Sequence, residues 1–149
     1  MRLNSMGRFC RLLLVATLAS LVVACSGGSS GGASADAGPP PNGNAEHGKE
    51  LYQVCQGCHK LTENSVGPMH CYLFGRAAGT VAGFDYSEAM KASGITWSSK
   101  KLDEFLTSPI AYVSGTKMGF AGFDNPSDRA DVITYLYKLN HDPASCPPK

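Results

Sequence analysis

Cys55-Gln56-Gly57-Cys58-His59 places two thiols three residues apart, with an imidazole directly after the second. On one helical turn both sulfurs project to the same side, where two thioether bonds can tie the vinyl groups of one haem to the chain and the next histidine can reach the iron. A zinc site would need a second ligand pair, and the sequence holds no second Cys-x-x-Cys. A thioredoxin-like dithiol would need a strand before it inside a βαβ pattern, and that is absent too. The motif therefore points to one covalent haem c, to His59 as an iron ligand, and to redox chemistry at iron.

Upstream, Arg2, Arg8 and Arg11 precede an apolar run from Leu12 to Val23, interrupted only by Thr17 and Ser20. A charged segment followed by an apolar one too short for a comfortable membrane span reads as a targeting signal over residues 1–24. Val22-Val23-Ala24-Cys25 sits where the apolar run meets a Gly/Ser stretch and resembles the lipobox of bacterial lipoproteins. In that class the cysteine is acylated and becomes the new N-terminus, so Cys25 is the expected lipidation site; the alternative is an ordinary signal peptide cut nearby. Two or three acyl chains hold a protein on a membrane, whereas one does not. The expected location is the periplasmic face of a membrane.

Cleavage there removes three arginines and no acids, which leaves 10 Lys and Arg against 12 Asp and Glu. A slightly acidic chain is a poor partner for nucleic acid. Residues 25–43 are rich in Gly, Ser and Pro, with Pro39-Pro40-Pro41 near their end, and read as a linker spanning on the order of 25 Å on average.

Residues 44–149 are one domain's worth of chain. Asn44 is placed to cap a helix that runs through Gly48, Leu51, Tyr52 and Cys55. Ser87 caps a short one over Glu88 to Ala92, ended by Gly94. Ser98 caps a third with Leu102, Phe105 and Leu106 on one side, stopped by Pro109. The last has Asn125 as cap, Pro126 at its first position, Asp128 in the first turn, and Val132, Tyr135, Leu136 and Leu139 as its stripe. The expected fold is all-α, four to five short helices around a haem that supplies much of the apolar core.

Val66-Gly67-Pro68, Leu73-Phe74-Gly75-Arg76, Gly83-Phe84-Asp85-Tyr86-Ser87, Gly94-Ile95-Thr96-Trp97, Gly115-Thr116-Lys117-Met118 and Phe120-Ala121-Gly122 follow the haem motif in order. Together they resemble the successive signatures of class I cytochromes c, from about Gly48 to Asn140. The resemblance implies that Met118 is the distal iron ligand opposite His59, a pair that raises the reduction potential. It implies that the Pro68 carbonyl accepts a hydrogen bond from His59, and that Arg76, Tyr86 and Trp97 bond the haem propionates with help from Ser87 and Thr116. Gly48 and Tyr52 would cross the last helix near Tyr135. Met69 and Met90 are assigned to core packing, His47 to the surface, and neither His70 nor His141 matches the distal position.

Departures from the family pattern are Phe105, where a buried tyrosine is usual, and Met90, where a buried asparagine is usual; both dry the distal pocket. Val54, Ile110 and Ala111 stand where many relatives carry lysines around the haem edge, and Lys60, Lys101 and Lys117 remain, so steering toward an acidic partner should be weaker. Of six cysteines, Cys10 and Cys25 lie in or beside the signal and two belong to the haem motif, which leaves Cys71 and Cys146. In the cytochrome fold their regions are near one another, and a disulfide is expected, with two free thiols as the alternative.

The function implied is that of a monomeric one-electron carrier, not an enzyme, tethered to a bacterial membrane in a respiratory or photosynthetic chain. A quinol-oxidising complex is the family-level donor and a terminal oxidase or reductase the acceptor. A haem subunit of a larger redox complex would look identical in sequence, and a gas sensor would need an open iron site in place of Met118.

Overall fold

A computed structural model describes residues 42–149. The expected signal, Cys25 and nearly all of the linker lie outside the described residues. Among the described residues six helices follow in order: α1 (Ala45–Leu51), α2 (Gln53–Gln56), α3 (Glu88–Lys91), α4 (Ser99–Thr107), α5 (Pro109–Tyr112) and α6 (Pro126–His141). The described residues form no strand, only an isolated antiparallel bridge between Ala77 and Thr96.

Each long helix starts at a side chain that satisfies backbone donors left over at its first turn. Asn44 Oδ1 accepts from Glu46 N–H and His47 N–H, Ser98 Oγ from Lys101 N–H, and Asn125 Oδ1 from Ser127 N–H. Pro126 follows Asn125 at the position where a missing N–H costs nothing.

Two readings of the helices are corrected. The first helix does not run unbroken to Cys55: at Tyr52 the ladder tightens, with Cys55 N–H donating to Tyr52 O at 2.9 Å, three residues back. Tyr52 is 1% exposed and wedged between the rings of His70 and Tyr135, so side-chain packing sets its backbone. Pro109 does end α4, by forcing Ser108 into extended backbone, but it then opens α5 at its own first position.

Helix α6 is the axis of the domain. Val132, Ile133 and Leu136 are buried in a core shared with Tyr52, Leu102, Phe105 and Leu106. The stripe read from sequence is narrower than the buried face, because Arg129, Asp131 and Thr134 are buried as well. Arg129 Nε donates to Asp103 Oδ1 at 2.8 Å and its Nη1 to Phe123 O at 2.7 Å, which ties α6 to α4 and the following loop. Asp131 accepts from Asn44 N–H at 2.6 Å and from His47 Nδ1–H at 2.8 Å, which ties α6 to α1. His47 is exposed as expected, yet it serves as a clamp.

Cys71 and Cys146 form a disulfide with Cα atoms 5.4 Å apart. Tyr72, in the left-handed region with φ 58°, donates its hydroxyl to Pro147 O at 2.6 Å, so the tail after α6 lies along the segment that follows Pro68. Met90 lies in the core, but Met69 does not. Met69 is half-buried and acts through its backbone, donating N–H to Asn64 Oδ1 and offering its carbonyl to Arg76.

Candidate functional site

The turn leaving α2 builds the site. Cys55 O accepts from Cys58 N–H at 3.1 Å and from His59 N–H at 2.9 Å, so the two thiols and the imidazole share one turn of backbone. Both thiols are free, unlike Cys71 and Cys146. Burial pushes the Cys55 thiol up to about 11, while Cys58 is exposed.

His59 Nδ1–H donates to Pro68 O at 2.7 Å. That bond fixes the tautomer, since a neutral imidazole that donates at Nδ1 keeps a lone pair at Nε2 for a metal. Burial, with Arg76 adding to it, holds His59 below its ordinary range and so in the neutral, ligating form. A Cβ on Gly67 would lie 2.4 Å from His59 Cε1 and 2.7 Å from Nε2, so only glycine lets the loop close on the ring.

On the other side of the sequence, Gly115, with φ +89°, makes the turn that delivers Met118. Thr116 N–H donates to Val113 O at 2.9 Å, and Thr116 Oγ1 accepts from Met118 N–H at 3.2 Å. Met118 is half-buried against the core, in the same set as Phe120 and Phe123. Two free thiols on one turn, an imidazole with its outer nitrogen unprotonated, and a thioether in an apolar wall form a donor set that fits haem c.

The residues assigned to propionates are organised mostly by backbone. The Arg76 guanidinium donates from Nη1 to Cys71 O at 2.9 Å and from Nη2 to Met69 O at 3.1 Å, and its burial lowers its pKa. Ser87 Oγ caps α3 through Met90 N–H, so Ser87 and Thr116 each accept a backbone N–H and keep a hydroxyl proton to donate. Trp97 is buried edge-on to Phe105, with centroids 5.1 Å apart, and Tyr86 is half-buried, its phenol raised by that burial. The bridge at Ala77 and Thr96, with Trp97 N–H donating to Arg76 O at 2.9 Å, holds Arg76 and Trp97 together.

His141 is exposed and donates its Nδ1–H to Tyr137 O, away from a ligand role. His70 was missed as a site residue: its ring stacks on that of His59 at 4.1 Å. Only its place two residues after Pro68 hinted at this. His47, Asp128 and Asp131 have ligand atoms within 4.8 Å of one another, but both Asp131 oxygens already accept hydrogen bonds, and the cluster is the α1–α6 clamp.

Residues 45–140 match the cytochrome c family. The chain belongs to the cytochrome c family. It is 44% identical over 97 residues to cytochrome c2 of Rhodomicrobium vannielii, covering 63% of this chain and 78% of that one. It is 45% identical over 101 residues to cytochrome c2 of Afifella marina, covering 64% of this chain and 82% of the other. In structure it is similar to cytochrome cH from Methylobacterium extorquens, with a TM-score of 0.62, 37% identity, and coverage of 64% of this chain and 99% of that one. As a cytochrome c family member the chain carries one covalent haem c and is an electron carrier, not an enzyme. No helix among the described residues is long and apolar enough to cross a membrane.

Proposed function

We propose that the chain is an exported, membrane-tethered one-electron carrier in which Cys55 and Cys58 hold haem c and His59 and Met118 are its axial ligands. The observation that carries this is the His59 Nδ1–H bond to Pro68 O at 2.7 Å, beside two free thiols, which leaves Nε2 free to bind a metal. Bound haem supplies the one-electron exchange at iron. With haem bound, His59 and Met118 would both ligate the iron, which would leave no open place for a substrate or gas. A thioether favours ferrous iron, and an apolar wall containing Phe105 and Met118 disfavours the extra charge of the ferric state; both raise the midpoint potential. Arg76, Tyr86, Ser87, Trp97 and Thr116 surround the propionates in this reading.

The lipobox-like Val22-Val23-Ala24-Cys25 and the linker after it support acylation at Cys25 and a head tethered at the periplasmic face. A monomeric head on a tether meets donor and acceptor on the same membrane at high local concentration. The donor is a quinol-oxidising complex and the acceptor a terminal oxidase, reductase or photosynthetic centre.

The oxidised protein should show the weak near-infrared sulfur-to-iron band, and Met118→Ala should abolish it. Ready carbon monoxide uptake by the reduced wild type would defeat the carrier reading. Full-length protein should fractionate with membranes, and Cys25→Ala should not; equal behaviour of the two would remove the lipid anchor.

A further inference from the structure

We propose that His70 is a positioning residue for the proximal ligand, stacking on His59 and fixing the plane of its ring. The inference rests on His59 as the iron ligand. The hydrogen bond from Nδ1 to Pro68 O restrains the ring plane through one edge atom, and a contact on the ring face adds a second, independent restraint. The His70 ring supplies one, its centroid 4.1 Å from that of His59 and its plane within 19° of parallel.

His70 is itself held from several directions. The Tyr52 hydroxyl, 1% exposed as a residue, lies 2.8 Å from His70 Nδ1. A buried phenol needs an acceptor, so Tyr52 donates, and the His70 proton sits on Nε2. His70 N–H donates to Lys60 O at 3.0 Å and Cys71 N–H to Leu61 O at 2.8 Å, which pairs this segment with the two residues that follow His59. Arg76 binds the carbonyls on both sides of His70, those of Met69 and Cys71. Cys71 is bonded to Cys146. A residue serving only to fill volume would not need a phenol, a guanidinium and a disulfide around it.

The test uses the haem-loaded protein and two variants. Tyr52→Phe keeps both imidazoles and removes the hydroxyl that holds one of them. The double variant Tyr52→Phe with His70→Leu removes the stacked ring without leaving an unpaired buried phenol. In oxidised protein the paramagnetic NMR shifts of the four haem methyls follow the plane of the axial imidazole, so their spread should change in Tyr52→Phe and change further in the double variant. A looser ring donates less well to Pro68 O and less well to iron, and leucine makes the surroundings more apolar, so both effects favour the ferrous form. The reduction equilibrium constant should rise about threefold in the double variant, about 28 mV at 59 mV per tenfold for one electron. Unchanged methyl shifts and midpoint in both variants, whatever happens to thermal stability, would overturn the proposal and leave His70 as packing. Absence of any histidine-ligated haem spectrum in the wild type would instead overturn His59 as ligand, and this inference with it.

Discussion

A Cβ built on Gly48 would lie 2.0 Å from the carbonyl oxygen of Asp131, so the backbones of α1 and α6 touch at their crossing. Backbone cannot swing aside as a flexible side chain does, and Gly48→Ala must push the helices apart. The expected cost exceeds about 2 kcal/mol in denaturant unfolding of the haem-loaded protein. Gly94 is the comparison: its φ of +66° strains an alanine, but nothing lies within 4 Å of the new methyl, and the cost should stay near about 1–2 kcal/mol. A Gly48→Ala loss no larger than that of Gly94→Ala would show that the crossing tolerates separation.

The pairing of His47 with Asp131 makes the same crossing sensitive to pH. The Asp131 hydrogen bond raises His47 above 6.5, and the bond from His47 holds Asp131 below 3.8. A raised histidine contributes fully below its unfolded value and loses that contribution as pH rises through the folded one; a depressed aspartate contributes above its unfolded value and loses it as pH falls. The clamp is therefore strongest between those limits. Wild type should lose stability relative to His47→Gln as pH rises from about 6 to about 8. Parallel stability curves for the two proteins would remove the pair from the balance.

Thr116 is expected to hold Met118 in reach of iron through the 3.2 Å bond from Met118 N–H. Thr116→Val keeps the shape and removes the acceptor, at about 1 kcal/mol or about fivefold in equilibrium. Added imidazole should displace Met118 at an about fivefold lower concentration in the variant, followed as loss of the near-infrared band. Equal titrations would mean that the turn at Gly115 suffices.

Salt should affect electron transfer only modestly. Lys117 Nζ lies 2.6 Å from Asp85 Oδ2, and Lys101 Nζ 2.9 Å from Glu104 Oε2, so two of the three lysines expected around the haem edge are already paired. Glu104 is held down to about 2 by Lys100 first, then by Tyr112 and Lys101, and stays charged at any physiological pH. The second-order rate with an acidic redox partner should fall less than about tenfold from low to physiological salt, the bottom of the range that steering reaches. A steeper fall would mean that Lys60 and the paired lysines still steer docking.

Local signals carried the helix starts: Asn44, Ser98 and Asn125 cap because a short polar side chain before a helical run has few other uses. The haem motif was legible because covalent attachment needs fixed spacing. Met118 as a ligand is an expectation that rests only on likeness to a family, since a methionine's fate depends on what it faces. What stayed hidden was tertiary. The break at Tyr52 depends on His70 and Tyr135, residues 18 and 83 positions away, and the carbonyls that Arg76 binds belong to a loop with no periodicity. The buried polar face of α6 escaped for a related reason, because Arg129, Asp131 and Thr134 are inside only by virtue of partners on other elements.

The entry of the chain into the domain has a mechanical meaning. Gly43 N–H donates to Thr134 Oγ1 at 2.9 Å and Asn44 N–H to Asp131 Oδ1 at 2.6 Å, both on α6. A pull arriving from the residues before Gly43 is thus taken up by α6, at the joint where two backbones touch. Load from that side meets this joint before it meets the turn carrying Cys55, Cys58 and His59.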